Sequence, residues 1–405
     1  MIQIRVNNRY TPLLIALLGI VVYLVYTGVL LTVAGGDLLG MFSFGEYLVN
    51  GKTAGIAADF IQPRAGYDGQ FYYRLAQDPF SIQQTAFGIS IDDPPLRQQR
   101  ILLSLLTWIF TRGEAALIPV VMLSINILAV GGCGWAGAHI MKHFDRSPWY
   151  GILFVFYPGF AISVGRFLTE PLAFLLMSLS LLALLNRRHL LAALMLSLAV
   201  VSRETATLLV AAGFFTWLVQ SHLKPAETAS QPFRPKVSYW LLPSITFFLW
   251  QAWLYQQWGS TFLNSARHST FGFPGSGFVN AIVYNFSNFD PANFFYLLMT
   301  LVLVIYIIYI LQGLKKTPLL TGISFSAYLV LALCVGIDIW VGSPGFLRVF
   351  TELNLFGLLV YLSVNKGPGK LLPLGWMTTW LVTAAAEWYR LFYWQQHFTP
   401  PSVVL

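Results

Sequence analysis

Long runs of apolar residues alternate with short groups of charged residues along the whole chain. Residues 11–36 carry no charge, and Arg5 and Arg9 precede them. A helix that crosses a bilayer needs about 20 apolar residues. This run is too long for the core of a signal peptide and lacks a small-residue cleavage site. It therefore predicts a first transmembrane helix that is retained in the protein.

The same pattern recurs ten more times, each time with a run that is free or nearly free of charge. These runs cover residues 115–141, 147–165, 171–186, 189–202, 205–223, 237–258, 291–314, 317–337, 349–365 and 371–388. The fold predicted from them is an all-α integral membrane protein. It is a polytopic bundle of about 11 transmembrane helices in a single domain of residues 1–405.

The basic residues between the runs predict the orientation of the bundle. Cytoplasmic loops of membrane proteins carry an excess of lysine and arginine. With a cytoplasmic N-terminus, Asp145 and Glu227 are the only acids among the cytoplasmic segments. The basic residues of those segments are Arg5, Arg9, Lys142, Arg146, Arg187, Arg188, Lys224, Arg234, Lys236, Lys315, Lys316, Lys366 and Lys370.

The composition agrees with a chain whose main solvent is lipid. The 405 residues are 57% hydrophobic and 10% charged, whereas soluble domains carry about 25% charged residues. The net charge of +8 would suit nucleic acid, but its location in the cytoplasmic segments makes it a topology signal. We therefore expect no nucleic-acid partner.

Lysine and arginine are divided unequally between the two sides. Seven of the eight lysines fall on the predicted cytoplasmic side, and Lys52 is the exception, whereas ten arginines fall on the outer side. A topology signal does not distinguish the two residue types. The planar guanidinium binds phosphate with two parallel hydrogen bonds, so the outer face suggests an anionic ligand. The alternative is structural pairing of these arginines with nearby acids.

The first outer loop, residues 37–114, is long and polar, and loops of this length are usually functional. It contains the segment Tyr-Asp-Gly-Gln-Phe-Tyr-Tyr-Arg, residues 67–74. A carboxylate among aromatic side chains, as Asp68 is, can act as general base toward a hydroxyl. The alternative is an ordinary Asp-Gly turn in which Asp68 caps the following helix.

A second polar cluster in this loop runs from Asp92 to Arg100. Asp92 and Asp93 precede two prolines, and they either bind a divalent cation or cap a helix and pair with Arg97 and Arg100. The apolar residues 101–110 are too few to span a bilayer and predict a helix on the membrane surface or dipping into it.

Three pairs of arginine and glutamate lie at the outer ends of predicted helices. They are Arg166 with Glu170, Arg203 with Glu204, and Arg348 with Glu352. The first and last have i,i+4 spacing, which places both side chains on one helical face. Ionisable groups at membrane depth are costly and usually mark a site. Each pair alone is equally compatible with an ion pair that locks the bundle.

The second outer loop, residues 259–290, is predicted to contribute an acceptor site and a mobile lid. The lid is suggested by glycines around Pro274. The polar residues proposed for the acceptor site are Arg267, His268, Asn285, Asn288 and Asp290.

The chain resembles the GT-C superfamily of glycosyltransferases at these motifs. Residues 67–76 are similar to a segment of the mannosyltransferases that add the second mannose of GPI anchors. They look closer still to bacterial membrane proteins associated with cell-surface glycopolymers, whose later motifs match the residues from Asp92 to Arg100, Arg166 to Pro171 and Arg203 to Glu204. The resemblance implies a first helix entering from the cytoplasm and a long outer loop, with surface helices, that bears a catalytic acid.

The residue roles implied by this resemblance centre on Asp68, which would take the proton of the acceptor hydroxyl in an inverting sugar transfer. Arg203 and Arg348, followed by Arg166 and Arg100, would bind the donor phosphate. The residues expected to support this site are Gln70, Tyr72, Tyr73, Arg74, Glu170, Glu204 and Glu352. Tyr72 and Tyr73 are expected to pack on the sugar or lipid.

Many superfamily members have a second acid near the first, and Asp37, Asp59, Asp92 and Asp93 all compete for that role here. The need for a divalent cation therefore stays open, with Asp37, Asp92 and Asp93 as candidate ligands.

The function expected from the resemblance is transfer of a sugar from a polyprenyl-phosphate donor to a glycan, lipid or protein acceptor. The reaction would occur on the extracytoplasmic side of a bacterial plasma membrane and would serve cell-surface glycan or glycolipid assembly. Two other classes stay open at this point, a non-catalytic subunit of a membrane complex and a lipid or solute transporter. A transporter should show internal repeats and interrupted helices, and the sequence shows no convincing repeat.

Overall fold

Helices form almost all of the structure. The computed structural model describes residues 9–63, 65–222, 231–265, 271–289, 291–341, 345–364 and 371–398. Within these ranges the fold is all-α, as predicted, apart from four strands of only two residues each. A helix occupies each of the eleven predicted apolar stretches, because a charge-free run without an internal turn signal satisfies its backbone most readily as a helix.

The α-helices follow one another in chain order with short connections. They are α1 (Thr11–Val33), α2 (Gly51–Ala54), α3 (Gly69–Gln77), α4 (Pro94–Gln99), α5 (Ile101–Thr111), α6 (Ile118–His143), α7 (Ile152–Val155), α8 (Pro158–Gly165), α9 (Glu170–Leu185), α10 (His189–Ser202), α11 (Thr207–His222), α12 (Val237–Trp258), α13 (Phe262–Ser265), α14 (Ser276–Ser287), α15 (Pro291–Gly313), α16 (Leu319–Cys334), α17 (Ile337–Trp340), α18 (Gly345–Val349), α19 (Thr351–Val364) and α20 (Leu371–Phe398).

Three of the described helices are long and apolar enough to cross a membrane. They are α1, α6 and residues Asn293–Lys316 within and after α15, and α7 with α8 would make a fourth if the bent pair counts as one span. Helices α9, α10 and α11 are apolar but shorter, at 16, 14 and 16 residues. Their lengths of about 21–24 Å fall short of the roughly 30 Å hydrocarbon core.

A bend of 48° separates α7 from α8. Tyr157 precedes Pro158 and has extended backbone (ψ 123°), because the proline ring disfavours the helical conformation of the residue before it. The Tyr157 hydroxyl donates a hydrogen bond to the carbonyl of Leu347. A Cβ atom on Gly159 would lie 2.6 Å from that same carbonyl oxygen. The bend therefore brings α8 into close contact with α18, which carries Arg348.

The first loop folds over one end of the bundle. Strands β1 (Phe44–Gly45) and β2 (Ile61–Gln62) pair in parallel, and β3 (Thr85–Ala86) and β4 (Ile89–Ser90) pair antiparallel. Beneath them the ring of Phe42 stacks on Phe167 with centroids 3.8 Å apart. Phe42, Phe44 and Phe167 are fully buried, so they anchor the loop to the bundle.

Apolar side chains also cover the outward faces of several helices. On α1, Ile15 and Tyr23 are buried, whereas Leu17, Leu24 and Val25 are about half exposed or more. The same arrangement continues on α15, where Ile305 and Ile308 are exposed. Exposed apolar surface of this extent is unusual on a protein surrounded by water.

Candidate functional site

Asp68 lies at the junction of the first loop and the helical bundle. It occupies the N-cap position of α3, but its side chain makes no capping hydrogen bond. Its Oδ1 atom is 2.8 Å from Nη1 of Arg97, and its Oδ2 atom accepts a hydrogen bond of 2.7 Å from Nη2 of Arg348. Nη1 of Arg100 is 3.8 Å from Oδ2. Asp68 is therefore bound by three guanidinium groups and does not act as a helix cap.

These contacts control the ionisation of Asp68. Burial by itself raises the pKa of this carboxyl, but Arg97, Arg348 and Arg100 outweigh burial and hold the pKa well below its usual range. Opposite charges within a few ångströms favour the ionised form. Asp68 is therefore a stable anion and, in this arrangement, a weak base.

Two glycines allow the close approach of α3 to the bundle. A Cβ atom on Gly69 would lie 2.3 Å from the carbonyl oxygen of Arg166, and Gly66 has a φ of +75° in the left-handed region. Phe167 also has a positive φ of 56°, a conformation that costs energy for a residue with a side chain. The packing of Phe167 against Phe42 described above compensates for this strain.

Helix α4 presents two arginines to the cluster. Asp93 caps α4 by accepting a hydrogen bond of 3.3 Å from the amide of Leu96. Asp92 accepts two hydrogen bonds of 2.9 Å from Arg97. Arg100, one turn later, donates to Glu204 at 2.8 Å. Each arginine is thus held by its own acid while a further nitrogen approaches Asp68.

The pairing of Glu204 with Arg100 lowers its pKa. Burial raises the pKa of Glu204, but the charge and hydrogen bonds of Arg100 outweigh burial and bring it to about 2. Glu204 follows α10 directly and begins the short 3-10 turn Glu204–Ala206. The pair therefore joins the first loop to the connection between α10 and α11 through two ionised groups.

A second layer of ion pairs lies deeper in the bundle. Nη1 of Arg203 is 2.7 Å from Glu170, and its Nε atom is 3.1 Å from Glu352. Nε of Arg348 is 3.1 Å from Glu170. The side chains of Arg203, Glu170 and Glu352 are at most 3% exposed, whereas that of Asp68 is 16% exposed. The cluster therefore opens to solvent on its Asp68 side.

Arg166 belongs to a third group that ties the last helix to the site. It donates hydrogen bonds of 2.9 and 2.6 Å to Glu387 on α20. Arg390 on the same helix contacts Glu387 at 3.2 Å. The guanidinium groups of Arg166 and Arg348 lie over the ring of Tyr67, 4.3 and 5.1 Å from its centroid. The ring of Tyr67 is thus in contact with two positively charged groups, next to Asp68 in the chain.

The three arginine–glutamate pairs predicted from sequence spacing are not the pairs that form. Arg166 pairs with Glu387 and not with Glu170, because α8 ends at Gly165 and α9 begins only at Glu170. Arg348 lies in α18 and Glu352 in the separate α19. The i,i+4 geometry requires one continuous helix, so the partners are exchanged between helices instead. The group of Arg166, Glu387 and Arg390 meets the ion pairs around Asp68 at the ring of Tyr67, which both Arg166 and Arg348 approach, and we call the two groups together the cluster.

Four residues predicted to support the site contribute differently. Gln70 is fully buried, accepts from the Gly45 amide and donates to the Ala65 carbonyl. Tyr73 is buried against Phe42 and Phe44. Gln70 and Tyr73 therefore hold the loop together.

Arg74 and Tyr72 also differ from the expectation. Arg74 is fully buried and donates to the Gln83 carbonyl. Its pKa is lowered by burial to about 10. Tyr72 is 1% exposed, and its hydroxyl lies 3.4 Å from Nη1 of Arg100. The prediction that Tyr72 and Tyr73 offer open ring faces to a ligand does not fit this structure.

Several functional contacts were missed by the sequence analysis. Arg97 was considered only as an ion-pair partner of Asp92 and Asp93, although it lies one turn before Arg100 and shares its face. Glu387 was included in the apolar stretch 371–388, and Arg390 lies just beyond its end. Neither was weighed, although ionisable groups at such positions usually mark a site. Tyr67 offered no signal beyond its place next to Asp68.

Some donors of the cluster have no hydrogen-bond partner within the described ranges. They are Nη1 of Arg348 and Nη2 of Arg390, whereas Nε of Arg348 and Nη1 of Arg203 contact the Glu170 carboxylate in ion pairs that lack hydrogen-bond geometry. Buried donors normally find a partner. Ion pairs join six arginines to six acids in the cluster. Its charge is therefore balanced while its hydrogen bonding is incomplete.

The three candidate metal ligands have other roles. Asp37 accepts a hydrogen bond of 2.9 Å from the Leu39 amide, Asp93 caps α4, and Asp92 binds Arg97. Across the described part of the chain, no group of three or more His, Cys, Asp or Glu side chains is placed to hold a metal ion. Of the acceptor site proposed in residues 259–290, Arg267, His268 and Asp290 lie outside the described residues.

Comparison with protein-family models and with curated protein sequences found no match to this chain.

Proposed function

We propose that the chain is an integral membrane glycosyltransferase of the GT-C type. It transfers a sugar from a polyprenyl-phosphate donor to an acceptor hydroxyl on the extracytoplasmic side of a bacterial plasma membrane. One observation carries this proposal, the contact of the partly exposed Asp68 carboxylate with Arg97, Arg100 and Arg348. This arrangement combines a base and a phosphate-binding group within one hydrogen-bond length.

The outward apolar faces of α1 and α15 support insertion in a membrane. We propose the cytoplasmic N-terminus from the distribution of lysine and arginine, and the eleven crossings from the charge-free apolar runs. In this orientation the Asp68 cluster lies at the outer ends of the short helices α9, α10 and α11. A lipid phosphate anchored in the outer leaflet would reach such a site without leaving the membrane.

The three partly exposed arginines are the best candidates to bind the donor phosphate. The side chains of Arg97, Arg100 and Arg348 are 10–12% exposed, whereas Arg203 and Arg166 are 3% and 4% exposed. Arg203 and Arg166 therefore support the site from beneath. This differs from the order expected from sequence, in which Arg203 and Arg348 came first.

Binding of the donor would change the basicity of Asp68. The donor phosphodiester brings one negative charge to a cluster whose charges are already balanced. It must therefore compete with Asp68 for Arg348 and Arg97, and each arginine that turns to the phosphate raises the pKa of Asp68. The donor thereby converts a stable ion pair into a carboxylate able to accept a proton.

The transfer step then follows from these positions. The acceptor oxygen forms a bond to the anomeric carbon while its proton passes to Asp68. The bond between that carbon and the phosphate oxygen breaks with its electron pair, so the sugar inverts its anomeric configuration. The leaving polyprenyl monophosphate has up to one more negative charge than the donor. The arginines stabilise this added charge, as positively charged groups do at transferring phosphates.

The balance of positive and negative charges in the cluster also favours a second candidate function. A set of balanced ion pairs is what a non-catalytic subunit of a membrane complex would need to lock its helices. In that case Asp68 is only one link in the network. A transporter is less favoured, because the ion pairs of the described residues gather at one end of the helices.

The test compares surface glycans and lipid-linked sugars in cells that carry the wild type, a deletion or Asp68→Asn. Mass spectrometry of both fractions identifies a missing glycan and an accumulated donor lipid. We expect the deletion and Asp68→Asn to share the same defect while the variant protein reaches the wild-type level in the membrane.

Asp78→Asn provides the matched control. Asp78 lies at the other end of α3 and is exposed, and its side chain accepts a hydrogen bond of 3.2 Å from the Phe80 amide. It should leave the glycans unchanged. A defect in the deletion alone, with normal glycans in Asp68→Asn, would favour the non-catalytic subunit.

A further inference from the structure

Two buried glutamines lie between the arginines of α4 that approach Asp68. The sequence there is Arg97-Gln98-Gln99-Arg100. Arg97 and Arg100 are three residues apart and share the face of α4 that meets Asp68. Gln98 and Gln99 are fully buried, and their side chains make hydrogen bonds to other parts of the chain. Both are polar groups that the transfer step itself does not use.

Gln98 joins α4 to the segment after α3 and to the end of α12. Its side-chain amide donates a hydrogen bond of 2.8 Å to the carbonyl of Pro79, which lies just beyond the end of α3. Its Oε1 atom accepts a hydrogen bond of 2.7 Å from Nε1 of Trp258, the last residue of α12. Arg97 binds Asp68 at the start of α3. The neighbouring residues Arg97 and Gln98 therefore hold the two ends of α3.

Gln99 joins α4 to α10 and to an earlier turn of α12. Its side-chain amide donates a hydrogen bond of 2.9 Å to the carbonyl of Val200, in the last turn of α10, where carbonyls lack partners within the helix. Its Oε1 atom accepts a hydrogen bond from Gln251 of α12. Arg100 binds Glu204 just beyond the same end of α10. Two adjacent residues of α4 therefore hold one helix end.

These hydrogen bonds fix α4 in a way that apolar packing alone would not. Burying a side-chain amide is unfavourable unless its groups are bonded. Hydrogen bonds are also directional, and one residue along an α-helix corresponds to a rotation of about 100°. A slip of α4 by one residue would break the bonds of Gln98 and Gln99 and would turn the two arginines away from Asp68.

We propose that Gln98 and Gln99 are positioning residues, which hold the two arginines of α4 in place for the donor phosphate. Gln251 and Trp258 anchor them on α12. This inference rests on the proposed function, because it takes the arginines to bind the donor. Helix α12 leads into α13 and the second outer loop, and both helices pack on α4. The start of that loop is thereby connected to the donor site by hydrogen bonds.

Trp258→Phe and Gln99→Met test the proposal through anion binding. The first variant removes the N–H group that binds Gln98, and the second removes both bonds of Gln99 while an unbranched side chain still fills the space. Stabilisation of the purified full-length protein by inorganic pyrophosphate in thermal unfolding measures the affinity. We expect about a tenfold loss in each variant, since misplaced arginines lose charge-assisted hydrogen bonds to the anion.

The pH dependence of stability is a second readout, and it is independent of sugar transfer. Gln99 precedes Arg100, whose charge lowers the pKa of Glu204. Gln99→Met should therefore move the acid transition of the unfolding temperature to higher pH, in the direction expected for loss of Arg100 itself. Trp258→Phe should act in the same direction through Arg97, which lowers the pKa of Asp68. It is the milder change and replaces Gln99→Met if that variant does not fold.

Gln220→Met is the matched control. Gln220 is also a buried glutamine whose side-chain amide donates to a backbone carbonyl, that of Phe233 at 3.0 Å. It lies at the opposite end of α11 from Glu204. The variant should lower the unfolding temperature to a similar extent at every pH, and it should keep the acid transition and the pyrophosphate affinity of the wild type.

Three results would overturn the proposal. An unchanged acid transition in the variants of α4 and α12 would show that the glutamines do not position the arginines. A moved transition with unchanged pyrophosphate affinity would remove the link to the phosphate, and equal changes in Gln220→Met would indicate general destabilisation. A wild type that transfers no sugar, while both readouts change as expected, would instead contradict the proposed function and leave the positioning role intact.

Discussion

Nη2 of Arg348 donates a hydrogen bond of 2.7 Å to Asp68, a residue 280 positions earlier in the chain. Nε of the same guanidinium lies 3.1 Å from Glu170. Arg348 therefore bridges a partly exposed carboxylate of the loop and a buried carboxylate of the bundle. The guanidinium makes the two contacts through two different nitrogen atoms, whereas a lysine has a single side-chain nitrogen.

Arg348→Lys should lower turnover by about 10²–10³, because the ammonium group of lysine cannot contact Asp68, Glu170 and a phosphate oxygen together. Transfer of sugar from the lipid donor by purified protein measures this effect. Arg112→Lys, an exposed position in the same half of the structure, should remain fully active. Wild-type turnover in Arg348→Lys would rule out a role for the guanidinium in binding the donor.

Asp68→Asn should lose turnover by at least about 10² and at the same time bind phosphate more tightly. The second effect follows because the amide no longer competes for Arg97 and Arg348. Stabilisation of the variant by inorganic phosphate or pyrophosphate in thermal unfolding measures the anion affinity. If Asp68 were purely structural, the variant would be less stable and would show no gain in anion affinity. The control variant Asp78→Asn should match the wild type in both assays.

Arg166→Met should reduce the free energy of unfolding by about 3–5 kcal/mol, because it leaves Glu387 buried with only part of its compensation. The double variant Arg166→Met/Glu387→Met should recover part of this loss, since the pair is then absent, while Arg390 stays partly exposed and keeps its hydrogen bond to Ser43. Thermal unfolding of the wild type, both single variants and the double variant forms a mutant cycle. Strict additivity of the two single effects would contradict the pairing.

The protein should become less stable at acidic pH, because the pKa of Glu204 is lower in the folded state than in an unfolded chain. The pKa of about 2 in the folded state lies below the ordinary value of about 4.3 for an unfolded chain. The ionised pair with Arg100 therefore stabilises the protein fully above about pH 4.3, and this contribution is lost as the pH falls toward 2. Asp68, whose pKa is also lowered, contributes with the same sign.

Arg100→Gln should move the acid transition to higher pH, because Glu204 then loses the charge that lowers its pKa. Unfolding temperatures between pH 3 and pH 7 measure this change. Glu46→Gln, at an exposed position of the same loop, should leave the profile unchanged. An unaltered transition in Arg100→Gln would show that other acids determine the acid stability.

The helices were predictable from sequence because a long charge-free run leaves the backbone few other ways to satisfy its polar groups. The break before Pro158 was not predicted, because the run from 147 to 165 has no charge to mark it. The proline there determines where α8 starts. The turn also depends on the contact of Tyr157 with Leu347, and no local pattern announces a contact 190 positions away.

The sequence predicted many of the residues that form the cluster, but not how they pair. Arginines and acids at helix ends indicated that charges would meet near Asp68, since isolated charges at that depth are costly. Their partners depend on where each helix stops, and Arg166 lies beyond the end of α8 while Glu170 begins α9. Sequence spacing could not distinguish a helix that continues from two helices that meet.

The pair of Arg166 and Glu387 also has a consequence for biosynthesis. The two residues are 221 positions apart, and translation at about 5–20 residues per second separates their synthesis by roughly 10–40 seconds. During that interval a nascent chain carries Arg166 without the carboxylate that it binds in the folded protein. Helix α20 therefore completes the charge balance of helices that are made long before it.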